Sequence, residues 1–149
     1  MARPFILPFI LIASLFFLWG AAHSILDVLN KHFQEILGMS RTHSALVQVM
    51  FFLGYFVMAV PAGIVIDRFG YRRGVITGLL LYGIGALLFW PGSLMGGDAF
   101  TFFLFSLFVI ACGLAFLETA ANPYVTQLGD RSTAASRLNL AQSLSLIHI

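Results

Sequence analysis

The sequence predicts an all-α integral membrane protein with four transmembrane helices and the start of a fifth. Composition and the spacing of charges carry that prediction. Hydrophobic residues make up 60% of the 149-residue chain and charged residues only 9%, whereas a soluble domain carries roughly 25% charged residues; mean hydropathy is +0.95. Four runs free of Asp, Glu, Lys and Arg follow one another: Pro4–Leu26, Ser44–Ile66, Gly74–Gly97 and Ala99–Leu117. About 23 helical residues reach about 35 Å, enough to cross a hydrocarbon core of about 30 Å with some tilt. The alternating apolar and polar residues of an outer-membrane barrel are absent from these runs.

The first helix is expected over about 5–29. Arg3 and the Ala21-Ala22 pair imitate a secretory signal, but the apolar stretch is too long for one and three more spans follow, so the helix is read as uncleaved. Trp19 sits deep within it, suited to packing or cavity lining as well as to an interface. The second helix is expected over 44–66, with Gln48 as interhelical glue and Pro61 as a kink. The third, over 74–91, carries Gly74-x-x-x-Gly78, Gly83 and Gly85, a pattern for close helix packing. The fourth runs over 100–124. It contains Cys112, the single cysteine, which excludes an intrachain disulfide and reads as a small packing residue. Trp90 and Tyr124 fall near span ends, where interfacial aromatics belong. A fifth helix starts near Arg137 and runs out after a few residues, so residues 1–143 read as part of a larger helical unit. Residues 144–149 resemble a translated transposon end and are expected to be a non-native tail.

Basic residues set the expected orientation. Arg3, Arg68, Arg72, Arg73, Arg131 and Arg137 fall on one side, while Lys31 and Arg41 fall on the other. The rule that positive charge stays inside then puts the N-terminus and the Asp67–Arg73 loop in the cytoplasm. This asymmetry also accounts for the pI near 9.0. No basic cluster lies outside the loops, so nucleic acid is not an expected partner.

Glu118 is the most informative polar residue. Nineteen uncharged residues precede it and eleven follow. A charge at such depth costs at least a few kcal/mol in lipid and therefore faces a protein interior or a water-filled path. A carboxyl group held there can be protonated from one side of the membrane and discharged to the other. The alternative, a snorkelling carboxylate at a helix end, is opposed by the helix macrodipole. Asn122 lies one turn on, sharing the Glu118 face, and Asn139 and Gln142 share a face of the next helix. These amides suit sugar hydroxyls, or equally interhelical hydrogen bonds. Asp27 lies near the outer end of the first helix, where an interfacial carboxylate is common. His23, four residues earlier, can pair with Asp27, titrate near neutrality or simply pack.

The loop after the second span reads Gly63-Ile-Val-Ile-Asp67-Arg68-Phe69-Gly70-Tyr71-Arg72-Arg73. It matches the G-x-x-x-D-R-x-G-x-[RK]-[RK] signature found between the second and third helices of the major facilitator superfamily. Ser14-Leu-Phe-Phe-Leu-Trp-Gly20, Leu53-Gly54-Tyr55-Phe56, Leu117-Glu118-Thr-Ala-Ala-Asn122-Pro123 and Arg137-Leu-Asn139-Leu-Ala-Gln142 further resemble the fucose permease family, from about Ser14 to Gln142. The resemblance implies a twelve-helix fold in two six-helix halves, of which this chain holds the first four helices and the start of the fifth. It implies proton symport of a neutral monosaccharide such as fucose, galactose or glucose by alternating access. Glu118 would be the proton-coupling residue. Asp27, His23, Asn122, Asn139 and Gln142 would be substrate-binding candidates, and Gly63, Asp67, Arg68, Gly70, Arg72 and Arg73 a cytoplasmic gating loop. The family's Asn-Asn-Leu-Asn-Asp is here His23-Ser24-Ile25-Leu26-Asp27, which removes asparagines suited to hydroxyls and argues against fucose itself.

The expected partners are a monosaccharide, the lipid of a bacterial inner membrane and a C-terminal half of the same transporter, without which the chain should be inactive. No cofactor other than the coupling proton is implied. An enzyme is not expected, because no metal-spaced His/Cys set, nucleophile–base pair or phosphate loop is present. A passive sugar facilitator and a non-transporting sensor or scaffold on the same fold are the rival readings.

Overall fold

The computed structural model describes residues 3–38 and 40–146. It contains five α-helices: α1 Arg3–Leu37, α2 Arg41–Phe69, α3 Tyr71–Ser93, α4 Ala99–Gln127 and α5 Ala134–Leu146, with short 3-10 turns at Gly96–Asp98 and Arg131–Thr133. Helices α1 to α4 are long and apolar enough to cross a membrane. Of the six residues expected to be a non-native tail, 144–146 close α5 and 147–149 lie outside the described residues.

Local chemistry sets the helix ends. Ser40 caps α2, its hydroxyl accepting from the His43 N–H at 3.4 Å. Gly70 ends α2 and starts α3 in one residue, with φ 84° and ψ 167°, and its N–H donates to Ile66 C=O at 2.8 Å. That conformation is open to glycine alone, and other residues store about 1–3 kcal/mol there. Gly70→Ala is therefore expected to lower stability by about 1–3 kcal/mol, read as a lowered Tm of the detergent-solubilised protein, although no atom crowds the site.

All five helices run past their expected bounds, and two of the extensions have identifiable partners. α1 continues eight residues past the expected end at 29, to Leu37, because polar partners on α2 support the extension. Buried Asn30 accepts from the Ser44 hydroxyl at 3.2 Å, and the Gln34 amide also reaches Ser44. α5 starts at Ala134 rather than 137, and the reason is Arg137. Its buried guanidinium donates to the carbonyls of Val125 (3.4 Å), Thr126 (3.1 Å) and Asp130 (2.9 Å) and to the Thr133 hydroxyl. The last carbonyls of a helix lack intrahelical donors, so Arg137 completes the end of α4 and joins it to α5. In the sequence Arg137 reads as a topology charge, the start of the fifth helix and part of a family-like segment, none of which assigns it these partners. α2 runs unbroken through Pro61.

α4 is the central helix. In its most apolar window 56% of residues are buried, against 17–22% in the other three spans. Lipid is as apolar as leucine, so association depends on close backbone approach at small residues. A Cβ on Gly78 of α3 would sit 2.9 Å from Gly113 C=O on α4, and one on Gly54 of α2 would meet the Ala111 Cβ at 2.7 Å. Gly74 packs against Ile66 and Gly85 against Ile110, but Gly83 has nothing within 4 Å, so it takes no part in the packing expected of that stripe. One cluster (Leu26, Val47, Phe51, Leu107, Leu114) joins α1, α2 and α4; another (Ile12, Phe16, Ala121, Val125, Ala141) joins α1, α4 and α5. The outer faces remain apolar, with Phe56 81% and Leu87 72% exposed.

Candidate functional site

Half-buried Glu118 lines two open cavities beside α4. The first, about 210 Å³, lies among α1, α4 and α5 and is walled by Phe16, Trp19, Ala121, Gln142 and Ser145. The second, about 340 Å³, lies between α2 and α4 and is walled by Tyr55, Ala59, Thr119, Asn122 and Pro123. The volume of each exceeds that of several waters at roughly 30 Å³ apiece. Gln142 of α5 donates to Asn122 Oδ1 at 3.2 Å, linking the rim of one cavity to the wall of the other. Thr119 spends its hydroxyl on Ala115 C=O at 2.7 Å. Pro123 has no N–H to offer the Thr119 carbonyl, which adds a second polar group one turn from Glu118.

Above this level α1 and α2 meet along a seam of polar and aromatic side chains. Trp19, His23 and Asp27 recur every four residues on α1, opposite Tyr55, Phe51 and Gln48 on α2. Trp19 Nε1–H donates to the Tyr55 hydroxyl at 2.6 Å. The His23 ring lies 4.6 Å from Trp19 and 4.9 Å from Phe51, both edge-on. The Gln48 amide donates to Asp27 Oδ1 at 3.5 Å. His23 Nε2 is buried and has no hydrogen-bond partner among the described residues.

The structure thus brings Glu118, Asn122 and Gln142 together. Asp27 is exposed and, like His23, lines neither Glu118 cavity; Asn139 is exposed and also outside both. At the far end of the bundle Asp67, Arg68 and Arg72 are exposed, and Gly63 has no atom within 4 Å of a would-be Cβ. The Arg73 guanidinium stands 5.3 Å from the centre of the Phe69 ring, a cation–π distance. Tyr71 accepts from the Gln127 amide at 2.9 Å, which ties this loop to the end of α4. Sequence reading missed three contributors: Tyr55, the Tyr71–Gln127 bond and Arg137. The available signal for Tyr55 was a hydroxyl inside an apolar run, which demands a partner. Among the described residues no group of His, Cys, Asp and Glu is arranged to hold a metal ion.

Comparison with known proteins agrees with this architecture. The family model of the Major Facilitator Superfamily matches residues 5–147. The chain is 46% identical over 144 residues to the L-fucose-proton symporter of Escherichia coli, a match covering 97% of this chain and 32% of that protein. It is 42% identical over 131 residues to a glucose/galactose transporter of Brucella abortus, covering 88% of this chain and 31% of that protein. A crystal structure of the major facilitator transporter FucP in the outward conformation superimposes with a TM-score of 0.80 at 46% identity, over 97% of this chain and 34% of that one. The chain therefore spans about a third of the length of the relatives it matches. Four membrane-length helices, the Gly63–Arg73 loop and this similarity along nearly the whole chain lead to one conclusion: the chain belongs to the Major Facilitator Superfamily.

Proposed function

We propose that this chain forms the N-terminal part of a symporter that moves a neutral monosaccharide together with a proton by alternating access. The observation that carries the reading is Glu118, a carboxyl group within a long apolar helix that lines two cavities, one shared with α1 and α5 and one with α2. Relatives named as a fucose-proton symporter and as glucose/galactose transporters support a hexose or deoxyhexose as cargo. In this reading Glu118 takes up and releases the coupling proton. Asn122 and Gln142, already sharing a hydrogen bond, exchange it for bonds to sugar hydroxyls, with Asn139 and the seam residue Asp27 as further contacts when the second half closes over the site. Substrate sites of such transporters lie near the midplane between the halves, so this chain contributes one wall and its C-terminal partner half the other. The Gly63–Arg73 loop then lies on the cytoplasmic side with the N-terminus, in a bacterial inner membrane, and gates that side through Asp67, Arg68, Arg72 and Arg73.

The test is made with this segment in a transporter of the relatives' full length. Adding the transported hexose to a lightly buffered suspension of expressing cells is expected to alkalinise the medium as protons enter with sugar. Sugar entry without alkalinisation would identify a passive facilitator, and failure to take up any monosaccharide would identify a sensor or scaffold.

A further inference from the structure

The α1–α2 seam contains a titratable ring, His23, whose edge-on packing leaves one buried nitrogen without a partner among the described residues. His23 stands one helical turn from Asp27 and, through Tyr55, beside the cavity that Glu118 lines. One turn above it on α1 is Asp27, exposed and held by Gln48. One turn below is Trp19, whose indole N–H is committed to the Tyr55 hydroxyl. The His23 ring also lies 6.5 Å from the Tyr55 ring, centre to centre. Tyr55 in turn shares the 340 Å³ cavity with Glu118. The buried Nε2 of His23 has no partner among the described residues. Leaving a buried polar atom unpaired disfavours the fold, so a site that retains one in place of an apolar residue points to a use for it. Imidazole alone among side chains both accepts and donates a proton at neutral pH, through different nitrogens.

We propose that His23 relays the coupling proton between Asp27 and Glu118, with Tyr55 and water in the α2–α4 cavity completing the path. The proposal rests on the reading of Glu118 as the proton carrier. In the inward direction the Asp27 carboxyl O–H breaks and its proton bonds to one ring nitrogen. The other ring nitrogen gives up its proton to the Tyr55 hydroxyl oxygen or to an intervening water. That group passes its own proton across the cavity to the Glu118 carboxylate. One O–H bond is lost at Asp27 and one formed at Glu118, no electrons change owner, and the imidazole is left as its other tautomer, reset by a ring flip. The titratable groups facing this path are Asp27 on α1, Tyr55 on α2 and Glu118 on α4. The Trp19–Tyr55 hydrogen bond has a definite part in this scheme: it occupies one lone pair of the Tyr55 oxygen and leaves its O–H free to point toward the Glu118 cavity.

The experiment compares His23→Ala, His23→Gln and Glu118→Gln in the full-length transporter reconstituted in liposomes, measuring proton-driven sugar accumulation and sugar–sugar exchange. Relay predicts that His23→Ala and His23→Gln slow accumulation about tenfold or more while exchange, which needs no net proton movement, persists. Millimolar imidazole should restore much of the lost rate to His23→Ala, which has a vacancy for it, and none to His23→Gln. Accumulation at the parent rate in His23→Gln would overturn the proposal, as would His23→Ala losing accumulation and exchange together while His23→Gln keeps both. Glu118→Gln separates the two levels. If it retains accumulation, the underlying assignment of Glu118 fails; if it loses accumulation while both His23 variants keep it, only the relay fails.

Discussion

In a full-length transporter carrying this segment, and on the proposed proton symport, replacing Glu118 with Gln is expected to abolish uphill sugar accumulation while leaving exchange across the membrane nearly intact. Glutamine preserves the volume and most of the hydrogen-bonding capacity of the side chain, so both cavities flanking α4 and the Asn122–Gln142 pair keep their walls. It removes the one property that matters for coupling, the ability to take and lose a proton. The size of the effect follows from the driving force. One elementary charge crossing 100 mV is worth about 2.3 kcal/mol, or about fifty-fold in concentration for one proton per sugar. The variant should therefore bring internal and external sugar to equality rather than to a ratio of about 50. The measurement is the steady-state ratio of labelled sugar in energised vesicles, with counterflow exchange as the control. Accumulation that survives the substitution would remove Glu118 from the coupling mechanism.

The second large effect concerns the fold. Gly113→Leu should prevent α3 and α4 from docking. A Cβ at this position would stand 2.5 Å from the Tyr82 backbone N and 2.7 Å from the Gly78 carbonyl O. Both neighbours are backbone, and helix backbone does not swing aside as a flexible side chain does, so the helices must separate. Overpacking in a dense interior costs typically 1–3 kcal/mol even where side chains can adjust, and here about 3 kcal/mol or more is expected. Separation would also break the contacts that make α4 the centre of the bundle, including the Gly78 approach and the Gly85–Ile110 contact. Gly83→Leu on α3 provides the control, since nothing lies within 4 Å of its would-be Cβ. Thermal melting in detergent should show Gly113→Leu unfolded or strongly lowered in Tm and Gly83→Leu within a degree or two of the parent. Equal effects would mean that helix propensity, not interhelical approach, governs this stripe.

The contrast between Gly83 and Gly113 shows how much was legible in advance. Both are glycines in apolar runs, and Gly74, Gly78, Gly83 and Gly85 read as one packing stripe. A transmembrane helix is apolar all round because lipid and neighbouring helices make the same demand, so hydrophobic periodicity does not say which side faces protein. Only the crossing of α3 and α4 decides that Gly78 and Gly85 touch a neighbour and Gly83 does not. His23, Phe51 and Tyr55 follow the same logic. Their helical spacing places them on faces of α1 and α2, but nothing in the spacing says that those faces meet. Arg137 is the clearest miss, because its partners are carbonyls twelve, eleven and seven residues back, released only because α4 ends and the chain turns.

The sequence alone determined the membrane class, the four spans and the anomaly of Glu118, since each depends on a local property. Twenty or so apolar residues must satisfy their own backbone as helix in lipid, and a carboxyl group among them carries its penalty wherever the helix packs. Tertiary structure decided which helix is central, that α1 reaches Leu37, that Asn122 meets Gln142 while Asn139 stays outside, and that Glu118 opens on two cavities. Those outcomes turn on how closely helix backbones can approach and which polar groups then fall within about 3 Å of each other, and neither is a property of any single segment.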